Sequence, residues 1–144
     1  MKLSKHFTLQ ELTHSDIAIR NSLDNTPSKD IIPNLIRVAE LLEDVRALFN
    51  KPIIVNSGYR SVAVNSLLGS KPTSQHCIGC AADIRISGLT PDQIVSKIVK
   101  SDIQYDQVIR EFDSWVHIAI PRTVGQIARK QALIIDKKGT RPYA

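Results

Sequence analysis

Two apolar runs, Tyr105 to Glu111 and Trp115 to Ile120, lie either side of Phe112-Asp113-Ser114. Each alternates, or nearly so, and the residues between them suit a tight reversal, so the stretch reads as a β-hairpin. A three-residue loop sets its register: Glu111 falls opposite Trp115 and Ile109 opposite His117. Side chains alternate across a strand, so these four share one face. Glu111 and His117 become diagonal neighbours, roughly 7–8 Å apart at the backbone. A two-residue loop would send them to opposite faces. The three-residue loop therefore predicts an antiparallel pair with a carboxylate and an imidazole together on one face, an expectation that rests on the loop length.

The rest of the chain fits around that sheet. Thr8-Leu9-Gln10-Glu11 has the form of a capping box, which predicts a short helix after Thr8. Asn21 to Lys29 is polar and turn-like. Ile31, Leu35, Val38, Leu42, Val45 and Phe49 recur at helical spacing, with Pro33 tolerable only near the first turn and Lys51-Pro52 as the stop. Ile53-Ile54-Val55 reads as a short buried strand. Ser61 caps a helix running to Leu68, and Gly69 ends it. Ser70 to Cys80 reads as loop, Ala81 to Ile86 as strand. Thr90-Pro91-Asp92-Gln93 opens a helix to about Lys100, and Gln131 to Asp136 is a last strand. Helices early, strands late and a hairpin among them predict one α+β domain over residues 1–144, a mainly antiparallel sheet packed on helices.

Composition narrows the function. The net charge is +5, with 5% aromatic residues, which favours an anionic partner. The bases are scattered and lack interleaved aromatics, so nucleic acid is not expected. No stretch is apolar enough to span a bilayer. MKLSKHFTLQEL holds no apolar signal core, so the expected location is cytoplasmic as synthesised. A monomer is expected.

Ser74-Gln75-His76-Cys77-Ile78-Gly79-Cys80-Ala81-Ala82-Asp83 gathers the reactive side chains. Gly79 permits a bend that brings His76 and Asp83 onto one ion, and His117 from the hairpin adds a second nitrogen. Three protein ligands and one open position define a catalytic zinc site. Glu111 then stands where a general base is needed. Two other readings use the cysteines: a thiol redox pair at Cys77 and Cys80, or a closed zinc site of His76, Cys77, Cys80 and His117. Cys77 and Cys80 also suit simple burial as small apolar fillers. Asp106 and Asp113 read as turn or solvated carboxylates.

Ser57–Ser61 (SGYRS), Ser74–Ile84 (SQHCIGCAADI) and Trp115–Ile120 (WVHIAI), in that order, resemble the M15 family of zinc peptidases. These are D-Ala-D-Ala carboxypeptidases and phage endolysins that cut peptidoglycan peptides. HFTLQELTHSD and DNTP resemble the phage-type branch. The resemblance spans about His6 to Ile120. It implies a hedgehog/DD-peptidase-like fold, a Zn2+ cofactor on His76, Asp83 and His117, and peptidoglycan stem peptides as substrate, reached at the cell wall after release. Arg60 corresponds to the arginine that steadies substrate and the developing oxyanion. Ser74, Gln75 and Tyr59 are candidate substrate contacts. Many members carry the catalytic acid three residues before the last histidine, where this chain has Ser114. Glu111, six residues before it, matches the related hedgehog-type hairpin and is assigned the base, with Asp113 as competitor. The departure leaves a second class open: a catalytically inactive, zinc-stabilised binding or phage structural module.

Overall fold

Residues 1–143 are described by a computed structural model. Five helices stand in the chain: α1 (Leu9–Thr13), α2 (Asp16–Arg20), α3 (Ile32–Phe49), α4 (Val62–Leu67) and α5 (Pro91–Val99). Six strands complete it: β1 (Ile54–Ser57), β2 (Ala81–Arg85), β3 (Gln107–Glu111), β4 (Trp115–Ala119), β5 (Gln131–Asp136) and β6 (Gly139–Pro142). They form one sheet in the order β1-β2-β4-β3-β5-β6. Every pairing is antiparallel except β3 with β5. The fold is α+β with a mainly antiparallel sheet, as the segment order implies.

Local chemistry accounts for the ends of these elements. Thr8 and Thr90 both close reciprocal capping boxes, with Glu11 and Gln93, satisfying backbone donors that a helix start leaves free. Ser61 caps α4 through Val64 N–H. Pro33 sits in the first turn of α3, where its missing N–H costs nothing. Asn50, in the left-handed region at φ 52°, stops that helix.

The core lies between the helices and one face of the sheet. Helix α3 contributes Leu35, Val38, Ala39, Leu41, Leu42 and Val45, and α5 contributes Ile94, Val95 and Ile98. They pack with Ala82, Ile84, Val108, Val116 and Ile118 from the sheet. Alternation then turns Asp83, Ile109, Glu111, Trp115 and His117 to the opposite face. The hairpin pairs Glu111 with Trp115 and Ile109 with His117, and β2 pairs Asp83 with His117. The turn has the expected three residues, and Phe112 and Asp113 both take positive φ, 51° and 50°.

Several details differ from the sequence reading. Helix α2, capped by Ser15, occupies a stretch too short for periodicity to reveal. The loop before β2 contains a 3₁₀ turn, Gln75–Ile78. Strand β6 extends the sheet beyond the expected last strand, pairing Ile134 with Arg141. Asp106 is not solvated. It is buried, and Arg129 donates to it from Nε, Nη2 and its backbone N–H at 2.8–3.2 Å. Those bonds outweigh the upward effect of burial and hold its carboxyl below the ordinary aspartate range. No helix among the described residues is long and apolar enough to cross a membrane.

Candidate metal centre

Three elements deliver one side chain each to a single point. Asp83 and His117 face each other across β2 and β4. His76 comes from the 3₁₀ turn. Ser74 Oγ accepts from its backbone N–H at 3.2 Å, and Gly79 ends the turn in the left-handed region at φ +73°. Only glycine fits there: a Cβ would stand 2.7 Å from Ile31 Cγ2. Asn34 Nδ2 donates to the Ile78 carbonyl at 2.8 Å, tying the turn to α3. His76, Asp83 and His117 are all buried, and one potential ligand atom of each lies within 4.8 Å of the others.

The hydrogen bonds behind the rings decide what those atoms are. His76 Nδ1 lies 2.7 Å from the Gly58 carbonyl oxygen, which can only accept, so Nδ1 carries the hydrogen. His117 Nε2 lies 3.0 Å from Gln75 Oε1, also an acceptor. In neutral rings the remaining nitrogens, His76 Nε2 and His117 Nδ1, then present lone pairs. Both point at Asp83 Oδ1, each from 3.2 Å. Burial alone would raise the Asp83 carboxyl; with the rings protonated, their charge and their N–H bonds hold it well below the usual carboxylate range. Three electron-rich atoms thus converge with no hydrogen between them in the neutral-ring state. The arrangement can either take up protons on the rings or hold a cation. Outer bonds that fix the tautomer of a histidine are a regular feature of metal sites, so these residues could hold a metal ion.

The cluster lies in a cleft of about 950 Å³ that Glu111, Trp115, Arg60, Ser74 and Gln75 also line. Trp115 Nε1 donates to Glu111 Oε2 at 2.9 Å. Burial and the Asp83 charge push the Glu111 carboxyl above its ordinary value, against the pull of His117, Trp115 and His76. Asp113 is elsewhere: it is exposed and bound by Arg110 Nε at 2.9 Å, and it does not line the cleft. Ser114 Oγ donates to the Phe112 carbonyl at 3.1 Å, closing the hairpin turn. The Arg60 backbone N–H donates to the His76 carbonyl at 3.1 Å, and its Nη2 donates to Ser74 Oγ at 3.4 Å. Its Nε is buried with no acceptor.

Tyr59 does not line the cleft, and its ring packs against the core. Cys80 is fully buried in that core, and Cys77 is half-buried. Neither joins the cluster, so the His-Cys-Cys-His arrangement does not form among the described residues. Burial raises both thiols, which leaves them poor nucleophiles. Gln75, a candidate for orienting a ligand or substrate, stands behind His117 as its acceptor, whereas sequence reasoning missed the Gly58 carbonyl entirely. A backbone acceptor leaves no mark in side-chain pattern, although glycine at a point of close approach is a signal in principle. A Cβ at Gly58 would meet the Leu12 carbonyl oxygen at 2.4 Å.

The order of these motifs and the geometry they build agree with comparison to known proteins. No curated protein matches the chain at a significant level. The family model described as Peptidase M15 matches residues 5–119, a span that contains the cluster, Arg60 and the whole β3–β4 hairpin. With most of its length matched, and with a buried His-Asp-His group at the position the motifs specify, the chain belongs to the M15 peptidase family.

Proposed function

We propose that the protein is a zinc-dependent peptidase that hydrolyses stem peptides of bacterial peptidoglycan. The observation that carries this reading is the pair of ring nitrogens whose lone pairs are turned on one carboxylate oxygen by the Gly58 and Gln75 acceptors. Two nitrogens and one oxygen suit zinc, and three protein ligands leave a position open. Bound there, zinc would polarise a carbonyl and lower the pKa of water.

The chain's own groups supply the rest. Glu111 stands on the same face as His117, one strand pair away. Trp115 holds its Oε2, which leaves Oε1 to accept a proton from the attacking water and later return it to the leaving amine. Its raised pKa favours that exchange near neutrality, because a base too acidic accepts poorly. Arg60 offers donors to the negative charge that develops on the scissile carbonyl oxygen. The excess of basic residues suits a polyanionic wall, which long-range attraction would help capture.

One observation favours a second reading. The hydroxyl at Ser114 occupies the position of the family's usual acid and is used up in the turn. A module that binds zinc and lacks turnover would fit that substitution if Glu111 does not serve. The test is metal analysis of purified protein followed by mass spectrometry of defined muropeptides incubated with the zinc-loaded form. One zinc per chain with new peptide termini supports the peptidase. One zinc with intact muropeptides supports the module, and cleavage of casein alone removes the wall substrate.

A further inference from the structure

The hairpin turn beside Glu111 carries an aromatic side chain where such a turn favours a small one. Ser114 N–H donates to the Glu111 carbonyl at 3.0 Å, so Phe112 and Asp113 are the central residues of a tight turn. Both stand in the left-handed region, at φ 51° and 50°. Hairpin turns with two such residues favour Asn followed by Gly. Aspartate tolerates the conformation, but a bulky side chain reaches it only at a cost. Burial would offset that cost, yet Phe112 is 51% exposed. Its backbone N–H donates to the Ile135 carbonyl at 2.8 Å, which braces the turn from the neighbouring strand. An exposed ring is thus held in a backbone conformation unfavourable to it, and an outlier of this kind points to function.

The surroundings of the ring narrow that function. Phe112 lines the cleft together with Ile109, Trp115 and Ile135. The Phe112 and Trp115 rings are tilted at 48° with centroids 6.3 Å apart. The loop residues that line the same cleft, Ser70, Lys71, Thr73, Ser74 and Gln75, are polar. Leu68 apart, the apolar lining is gathered on the β3–β4 hairpin and β5. Glu111 links that surface to the chemistry. Trp115 Nε1 donates to Glu111 Oε2 at 2.9 Å, and Phe112 is the next residue in the chain. When Glu111 returns its proton, the leaving amine lies within hydrogen-bond reach of that carboxyl. The side chain of the leaving residue begins on the carbon bonded to that amine. It is therefore set down close to the Glu111 carboxyl, where Trp115 and Phe112 supply apolar surface.

We propose that Phe112, with Trp115, is a specificity-determining residue that receives an apolar side chain on the residue carrying the leaving amine. The inference rests on the peptidase reading of the same cleft and adds to it the class of residue accepted beyond the cut. Contact of the ring with that side chain is what the unfavourable turn conformation secures.

The test compares Phe112→Asn, which suits the turn and removes the ring, with Phe112→Tyr, which keeps the ring. In thermal melts Phe112→Asn should raise Tm by about 2–5 °C. A fall in Tm with unchanged selectivity would make Phe112 a structural residue and overturn the proposal. For selectivity, the stem peptide that the zinc-loaded protein cleaves is resynthesised with alanine, glycine or serine directly after the cut bond. Wild type should favour alanine over glycine and serine by about 3- to 10-fold in kcat/KM. Phe112→Asn should level the three, and Phe112→Tyr should keep the order. Identical ratios in wild type and Phe112→Asn would overturn the assignment. A second arm does not depend on turnover. Trp115 is the chain's single tryptophan, so its emission reports peptides bound to the metal-free protein. Stem peptides with each residue in turn replaced by glycine are titrated into wild type and Phe112→Asn. Replacement of one apolar residue that weakens binding to wild type about 3- to 10-fold, and to which Phe112→Asn is indifferent, supports the apolar contact even if no peptide is cut. Losses equal in both proteins at every position overturn it even if hydrolysis is observed.

Discussion

Replacing Gln75 by leucine removes the acceptor behind His117 and touches none of the three converging atoms. His117 is 7% exposed, so water cannot easily take over its Nε2–H. An unmade bond at a buried donor costs about 1–3 kcal/mol. The alternative is that the ring shifts its hydrogen to Nδ1, which removes the lone pair facing Asp83 and costs the ligand itself. Either path penalises the ring state that binds metal. At 1.4 kcal/mol per tenfold, zinc affinity should fall about 10- to 100-fold, the range found for partners of this kind. Gln75→Glu retains an acceptor at the same place and should bind zinc at least as well as Gln75→Leu. The measurement is competition with a chromogenic chelator at neutral pH, with far-UV circular dichroism to show that the fold is intact. Wild-type affinity in a folded Gln75→Leu protein would mean that His117 does not bind through Nδ1 and that its ring nitrogen is not one of the metal's donors.

Glu111→Gln should keep zinc and fold yet lose turnover by about 10²–10⁴-fold, while Asp113→Asn, engaged with Arg110 outside the cleft, should stay active; the reverse result would move the base to Asp113. The Asp106 carboxyl is held below its unfolded value, so its stabilisation is complete above about pH 4 and is lost as pH falls through the lower, folded value. Asp106→Asn should therefore lower stability by about 1–2 kcal/mol at pH 7, discounted for the exposed Arg129, and the gap from wild type in thermal melts should shrink below pH 4. Gly79→Ala places a Cβ against Ile31 at φ +73°, at a cost of at least about 1–2 kcal/mol, which should lower Tm by roughly 3–8 °C; an unchanged Tm would mean that the turn does not hold this conformation in solution.

What could be read from the sequence followed from local rules. The capping boxes at Thr8 and Thr90 depend on residues three apart, and both form. The hairpin register depends on three intervening residues, and it sets Glu111 on the face of His117. Such features need no knowledge of the rest of the chain. Other features depended on distant partners. Asp106 looks like a turn carboxylate until Arg129, 23 residues on, folds over it. Strand β6, with Arg141 and Pro142 and no apolar alternation, becomes a strand because β5 offers an edge. The parallel pairing of β3 with β5 lets the Ile135 carbonyl accept from Phe112 N–H at 2.8 Å. That bond braces the turn beside Glu111 from outside the hairpin, and nothing in residues 105–120 announces it.

The sheet and the loop that share the cluster do not share one stability. Strands β2 and β4 are interior strands, each paired on both edges, so the amides of Asp83 and His117 should exchange with solvent deuterium only when the sheet itself opens. His76 rides on a four-residue turn that no strand pairs, held by a serine cap, an asparagine bond to α3, the Arg60 N–H on the His76 carbonyl and the ring's own bond to the Gly58 carbonyl. Partial openings break contacts of that kind first. An ion gripped by all three residues would therefore come and go on the loop side. Its release rate would follow the breathing of residues 70–80 and be separable from global unfolding. Rapid loss of metal to a chelator, alongside amide protons on β2 and β4 that persist for hours, is the pair of rates such a divided grip produces.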